Sequence, residues 1–391
     1  MIYLDNAAST QIHEDVLNSM LPYLKEQYGN PSSLHRYGRL AHKAIEKARK
    51  QIASLINAEP SEILFTSGGT ESNNTALRGI SMKNPSSQII TSSIEHDAIL
   101  EPCKKLAQNG FDIDYLPVDR FGMVEYSDLK NHISEKTSLV SIMFGNNEVG
   151  TIQPISEISK ICNEHKVPFH TDAIQAVGKI PIDVKELDID LLSISSHKLY
   201  GPKGIGALYI KNGVDVVPVI LGGGQEGGLR SGTENVASIV GFGKACEIAK
   251  NNLNENISQM KKLRDILVEK VLNEIPEVIL NGHPHSRLPN NAHFTFLGVN
   301  GEDLIIKLDE YGIAASTGSA CSVNTQKASH VLQAMGFSHE QITGSLRLTI
   351  GIFNNQKEIG QTVSVLKKVV KELRSVSPYK EKYSFVLKSK P

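Results

Sequence analysis

The sequence predicts an α/β fold: a mostly parallel central sheet in a large domain, joined to a smaller α+β domain. Three observations lead there. Short apolar runs alternate with amphipathic stretches between residues 36 and 210. Near residue 250 the pattern changes and long amphipathic helices take over. Hydrophobic residues are 40% and charged ones 21% of 391, a globular composition with room for two or three folded units.

Residues 36–57 read as a helix, with Leu40, Ala44, Ile45, Ala48, Ile52, Leu55 and Ile56 on one apolar face. Ile63-Leu64-Phe65 is a short buried strand. Thr66-Ser67-Gly68-Gly69-Thr70 then leads into a helix from about Glu71. Further buried strands are expected at 88–92, 139–144, 167–171, 191–195 and 206–210. Residues 251–275 form a long amphipathic helix, with Leu253, Ile257, Met260, Leu263, Leu267 and Val271 as its apolar side. A strand at 293–297, a helix from about Glu302, a strand at 345–350 and a helix at 357–376 follow. The large domain is expected at 14–250, and the small one at 1–13 with 251–391. The tail from Ser377 is basic and weakly patterned.

Charge narrows the function classes. With 41 Lys+Arg against 42 Asp+Glu, the net charge of −1 gives no reason to expect direct nucleic-acid or membrane binding. No run of 18 apolar residues and no signal-peptide pattern occurs, so a cytoplasmic setting is expected. The four cysteines are far apart and form no Cys-x-x-Cys pair, so neither a disulfide framework nor a metal site is expected. In a reducing setting a lone Cys in a special context becomes a candidate nucleophile.

Three motifs sit at predicted strand ends. Ser67-Gly68-Gly69-Thr70-Glu71 pairs close backbone approach with a helix start, which suits a phosphate. Alone it is equally a turn capped by Thr70. Asp172, in Phe169-His170-Thr171-Asp172, stands where open α/β sheets bind ligands. Alone it reads more readily as a helix cap. Lys198, in Ser195-Ser196-His197-Lys198, follows a buried strand and precedes a Gly/Pro-rich turn. A lysine there can form a Schiff base, though a surface lysine reads the same way. Jointly the three supply what pyridoxal 5'-phosphate (PLP) needs: an amine, a carboxylate for the ring nitrogen and a phosphate cup.

In that chain order the motifs resemble the fold-type I PLP-dependent transferases, in the class V aminotransferase branch. Further motifs resemble the NifS/IscS cysteine desulfurases. They are Leu4-Asp5-Asn6-Ala7-Ala8-Ser9-Thr10, Tyr28-Gly29-Asn30-Pro31-Ser32-Ser33, Glu95-His96-Asp97-Ala98, Asn146-Asn147-Glu148-Val149-Gly150, Arg230-Ser231-Gly232-Thr233-Glu234-Asn235 and Arg347-Leu348-Thr349. The resemblance implies that Lys198 holds PLP and Asp172 pairs with its ring nitrogen. His96 would stack on the ring and move protons. Asn147 and Gln175 would bond its phenolic oxygen. Gly69, Thr70, Ser195 and His197 would form the phosphate cup, completed by Thr233 from the second subunit of a homodimer. Arg347, assisted by Asn147, would grip the substrate carboxylate.

Cys321 decides between reactions. Small and hydroxylated residues surround it in Ser316-Thr317-Gly318-Ser319-Ala320-Cys321-Ser322, unlike Cys103, Cys162 and Cys246 in helical patterns. The resemblance implies a long-loop cysteine desulfurase. L-cysteine would yield L-alanine, and Cys321 would receive the sulfur as a persulfide. A sulfur-acceptor protein in iron–sulfur cluster assembly, tRNA thiolation or thio-cofactor synthesis would then take it. The basic tail reads first as a solvated tail, and docking of that acceptor is the functional alternative. Ala328, where the family usually has Pro, and Thr317, where Ser or Gly is commoner, are departures. An ordinary class V aminotransferase or lyase would not need Cys321, and a non-catalytic docking protein would not need Lys198.

Overall fold

The computed structural model describes residues 1–83, 87–318 and 328–378. Cys321 and the tail from residue 379 lie outside them. In chain order the strands are β1 (Ile2–Tyr3), β2 (Ile63–Thr66), β3 (Gln88–Ser92), β4 (Asp112–Leu116), β5 (Thr137–Ser141) and β6 (Phe169–Asp172). There follow β7 (Leu191–Ser195), β8 (Gly206–Ile210), β9 (Val278–Asn281), β10 (Asn291–Phe296), β11 (Ile313–Ala314) and β12 (Ser345–Thr349).

A seven-stranded sheet with order β2-β8-β7-β6-β5-β3-β4 forms the centre. Its pairs are parallel from β7 through β4, while β8 is antiparallel to both its neighbours. The mostly parallel sheet is therefore as expected, with one reversed strand. β7 and β8 are joined by the short Gly/Pro-rich turn after Lys198, which leaves no room for the crossover a parallel pair requires. β5, β6, β7 and β8 are buried along their whole lengths, as in a sheet covered on both faces.

The helix Arg36–Ile56 covers one side, burying Ala44, Ile45, Ala48, Ile52, Leu55 and Ile56. Leu40 departs from the expected face and is exposed, because the buried stripe passes through Ala41, Ala44, Ile45 and Ala48 and leaves Leu40 at its outer side. The helix ends at Asn57 in the left-handed conformation, where Asn is tolerated. Two cysteines sit in the main core, Cys162 and Cys246, and Cys103 is buried in a second cluster on the same sheet.

The three-stranded antiparallel sheet β12-β10-β9 packs under the helices Leu253–Glu274 and Gln356–Val376. Met260, Leu263, Leu267 and Val271 are the buried residues of the first helix that had been expected there, with Leu253 and Ile257 only half-buried. Ile2 and Leu4 join this same core. β1 pairs in parallel with β11, and Asp5 bridges to Thr349. The first residues of the chain are thus stitched to strands more than 300 positions away. No helix among the described residues is long and apolar enough to cross a membrane.

Candidate active site

The carboxyl ends of β6 and β7 and the segment after β2 open into one cleft of about 400 Å³. Gly69, Thr70, His96, Asn147, Asp172, Gln175, Ser195, His197, Lys198 and Arg347 all line it. Ten residues singled out by motif are thereby brought together. Thr233 is exposed and does not line its own chain's cleft. Cys321 lies outside the described residues, but Gly318 reaches the cleft wall. A larger groove of about 510 Å³ beside Arg49 and Glu226 carries none of these residues.

At the phosphate motif the helix Gly69–Ser81 begins two residues earlier than expected. Gly68 occupies the capping position, with φ 151° and no side-chain cap, so Thr70 does not cap the turn. The first-turn N–H groups at Gly69 and Thr70 have no partners within the helix and front the cleft. A Cβ at Gly69 would meet Ile174 Cδ1, so a larger residue there would have to push this side chain aside. Glu71 receives a 2.9 Å bond from Arg230, which ties the Arg230–Asn235 motif to the same helix.

Asp172 ends β6. One carboxylate oxygen accepts from Asn73 Nδ2 at 2.7 Å, the other from the Ile174 N–H at 3.0 Å. Burial pushes its pKa upward, against the pull of the Asn73 bond, His96 and Lys198. A cation brought into the cleft would relieve that cost. Two positions earlier on the same strand face, His170 bridges Ser141 at 2.8 Å and Ser193 at 3.0 Å. Burial lowers its pKa to about 3, so it is a neutral cross-strand tie.

Lys198 lies on a single 3-10 turn, Ser196–Lys198, directly after β7. Its Nζ donates to the carbonyls of Ala7 at 2.6 Å and Ala8 at 2.7 Å. Gln175 Nε2 also donates to Ala7, at 2.9 Å. His197 Nδ1 meets Ser9 Oγ at 3.2 Å. Its pKa falls to about 4, chiefly through burial and then through the cations Lys198, Lys203 and Lys179. His96 Nδ1 accepts the Ala98 N–H at 3.0 Å, capping the helix Asp97–Gln108. That bond puts the proton of the neutral ring on Nε2.

Arg347 on β12 forms the opposite wall. Nη2 pairs with Asp5 at 2.9 Å, and Nη1 donates to the carbonyls of Asn147 at 2.8 Å and Gly318 at 3.3 Å. Its buried Nε has no hydrogen-bond partner among the described residues. Sequence reasoning missed Asn73, Asp5, Lys179 and the Ala7 and Ala8 carbonyls as site components. Asp5, Ala7 and Ala8 lay inside a motif already quoted, and that was their only signal.

These residues fit PLP by their chemistry. A buried carboxylate wants a ring N–H⁺, a helix N-terminus wants an anion, and a lysine amine stands between them. The aminotransferase class-V family matches residues 2–361.

The chain belongs to that family.

Within the family it is 49% identical over 390 residues to a cysteine desulfurase IscS of Dictyoglomus turgidum, covering 99% of each chain. A cysteine desulfurase IscS of Methanosarcina thermophila is 50% identical over 379 residues, with 96% of this chain and 94% of the relative covered. Among solved structures, a NifS-like protein superposes with TM-score 0.90 at 39% identity, covering 95% of this chain and all of the other. A structure described as SspA in complex with cysteine has TM-score 0.81 and 38% identity, covering 91% of this chain and 100% of that one. The fold is thus the PLP-dependent aminotransferase type that the motifs implied.

Proposed function

We propose that this chain is a PLP-dependent cysteine desulfurase that takes sulfur from L-cysteine onto Cys321. The observation that carries the reading is the convergence of Lys198, Asp172 and Arg347 on one cleft in a chain with such relatives. Bound PLP would supply the electron sink for breaking bonds at the substrate's α-carbon. Asp172 would hold a proton on the ring nitrogen. Thr70, Ser195, His197 and the N–H groups from Gly69 would hold the phosphate, while Asn147 and Gln175 orient the phenolic oxygen. Lys198 would carry the cofactor at rest and afterwards move a proton at the substrate α-carbon. His96 would stack on the ring and move protons there. Arg347 would hold the substrate carboxylate, which orients the thiol away from it.

Cys321 thiolate then attacks the substrate sulfur. An S–S bond forms, the carbon–sulfur bond breaks, and the electron pair stays with carbon. Proton uptake there gives L-alanine, so L-cysteine plus a thiol becomes alanine plus a persulfide, with no external oxidant. The test incubates PLP-loaded protein with L-cysteine and a thiol reductant, beside Cys321→Ser. Equal alanine and sulfide, lost in the variant, are expected. Pyruvate and ammonia, or an unaffected variant, would instead mean a lyase.

The finer parts of the reading are the homodimer, the acceptor and the setting. Thr233 is exposed, and Arg230 ties its segment to the phosphate helix, which supports its serving a second subunit's cleft. Sulfur would pass to an iron–sulfur assembly or tRNA-thiolation protein in the cytoplasm. A division into units 14–250 and 1–13 with 251–391 is supported by Ile2 and Leu4 sharing the core of residues 260–370.

A further inference from the structure

Lys198 is one face of a partition. Its front lines the 400 Å³ cleft. Its rear lines a separate void of about 10 Å³, bounded by Leu199, Ala249 and Met260, and Lys179 lines the same void. Lys179 is 3% exposed. Its Nζ donates to one carbonyl, that of Gln175, at 3.1 Å. It makes no ion pair with any described carboxylate, although several other lysines do, such as Lys211 with Asp188 and Lys244 with Glu247. A buried ammonium held by a single carbonyl is costly, and lysines so placed shift their protonation readily.

The chain route makes the arrangement compact. One segment, running from the end of β6, sends Asp172 and Gln175 to the front of Lys198 and Lys179 to its rear. The titratable groups facing Lys198 from the front are Asp172, His96, His197 and Arg347. From the rear they are Lys179, His13 and Tyr200. Asp172 is the carboxylate among them. The helices behind the void contribute only Ala245, Ile248, Ala249, Asn256 and Met260, which carry no charge.

We propose that Lys179 is a positioning residue for Lys198: the two amines repel each other's charge, so the pair carries one proton between them and Lys198 is uncharged when a carbonyl group reaches it. The inference rests on reading Lys198 as the cofactor-bearing lysine. An adjacent cation is one way to activate a lysine nucleophile, and two such amines titrate as a pair. The same field is felt at Lys179, whose pKa is lowered to about 7 by burial first and Lys198 second.

The test compares wild type with Lys179→Met, Lys179→Gln and Lys179→Arg. In cofactor-free full-length protein, acylation of Lys198 is followed against pH by peptide mass spectrometry. In loaded protein, the visible band of the Lys198 imine is titrated. Removing the charge is expected to raise both midpoints by about one pH unit, cutting Lys198 acylation at pH 7 about tenfold. Lys179→Arg is expected to keep the low midpoint. Gln keeps a donor for the Gln175 carbonyl and supplies the uncharged variant if Met does not fold. Unmoved midpoints would overturn the inference. So would equal shifts in all three variants, which would mean lost packing. A wild type that labels as expected but never forms an imine would sink the cofactor role of Lys198 and leave the lysine pair standing.

Discussion

Asp5 and Arg347 form a 2.9 Å ion pair across 342 positions of sequence, with the arginine side chain 3% exposed. The guanidinium spends Nη1 on the carbonyls of Asn147 and Gly318 and shares Nη2 with Asp5. It is therefore fixed before substrate arrives, which lowers the ordering cost of gripping a carboxylate.

Arg347→Lys should lower kcat/KM for L-cysteine by about 10–100-fold, the worth of one or two charge-assisted bonds. An ammonium cannot serve Asp5, two carbonyls and a substrate in one plane. The Lys198 imine band should be unchanged. Steady-state kinetics beside an absorbance spectrum check both halves.

Asp172→Asn should cut turnover by about 10²–10⁴-fold, the usual range for losing a proton-controlling group. The amide keeps the size of the carboxylate but cannot hold a charged ring nitrogen. Dialysis should also strip cofactor faster from the variant. Single-turnover alanine formation and retained PLP are the measurements.

His170 carries a pH prediction. Its ordinary value of 6.5 falls to about 3 in the folded chain because it is buried neutral. Between those values the unfolded chain binds a proton that the folded chain refuses. Stability is therefore fully present above 6.5 and is lost as pH falls toward 3, by about 1.4 kcal/mol per unit. His170→Asn should flatten that slope between pH 6 and pH 4. Guanidinium unfolding at the two pH values, in both proteins, measures the difference.

Thiol reactivity gives a fourth prediction. Burial pushes the Cys103 thiol up to about 12 and raises Cys162 and Cys246 further. None of the three should react with an alkylating reagent at pH 8 until the chain unfolds. Peptide mapping after timed labelling, with and without denaturant, would detect any early modification.

Much of the fold was legible because β5, β6, β7 and β8 are fully buried strands with apolar stretches, such as Leu139-Val140, Leu191-Leu192 and Ala207-Leu208, set between helical patterns. β4 was not, since Asp112 and Asp114 interrupt its apolar residues and it lies at the sheet edge, where charge is tolerated. β1 and β11 are two residues each, too short for any period. At the site, residues that end strands announced themselves by motif. Their partners did not, because Asn73 with Asp172 and Asp5 with Arg347 meet only through tertiary folding. Lys179 belongs to none of the motifs, and only its burial beside Lys198 distinguishes it.

The docking of β1 against β11, with Asp5 at Thr349, sets a timetable for synthesis. Residues 2–8 are made more than 300 positions before the strands that seat them. At 5–20 residues per second, roughly 20–70 s separate the two events. Until then the Ala7 and Ala8 carbonyls that hold the Lys198 amine in the folded protein have no strand to anchor them. The cofactor site is therefore complete only once β11 and β12 have been made and have seated the first strand.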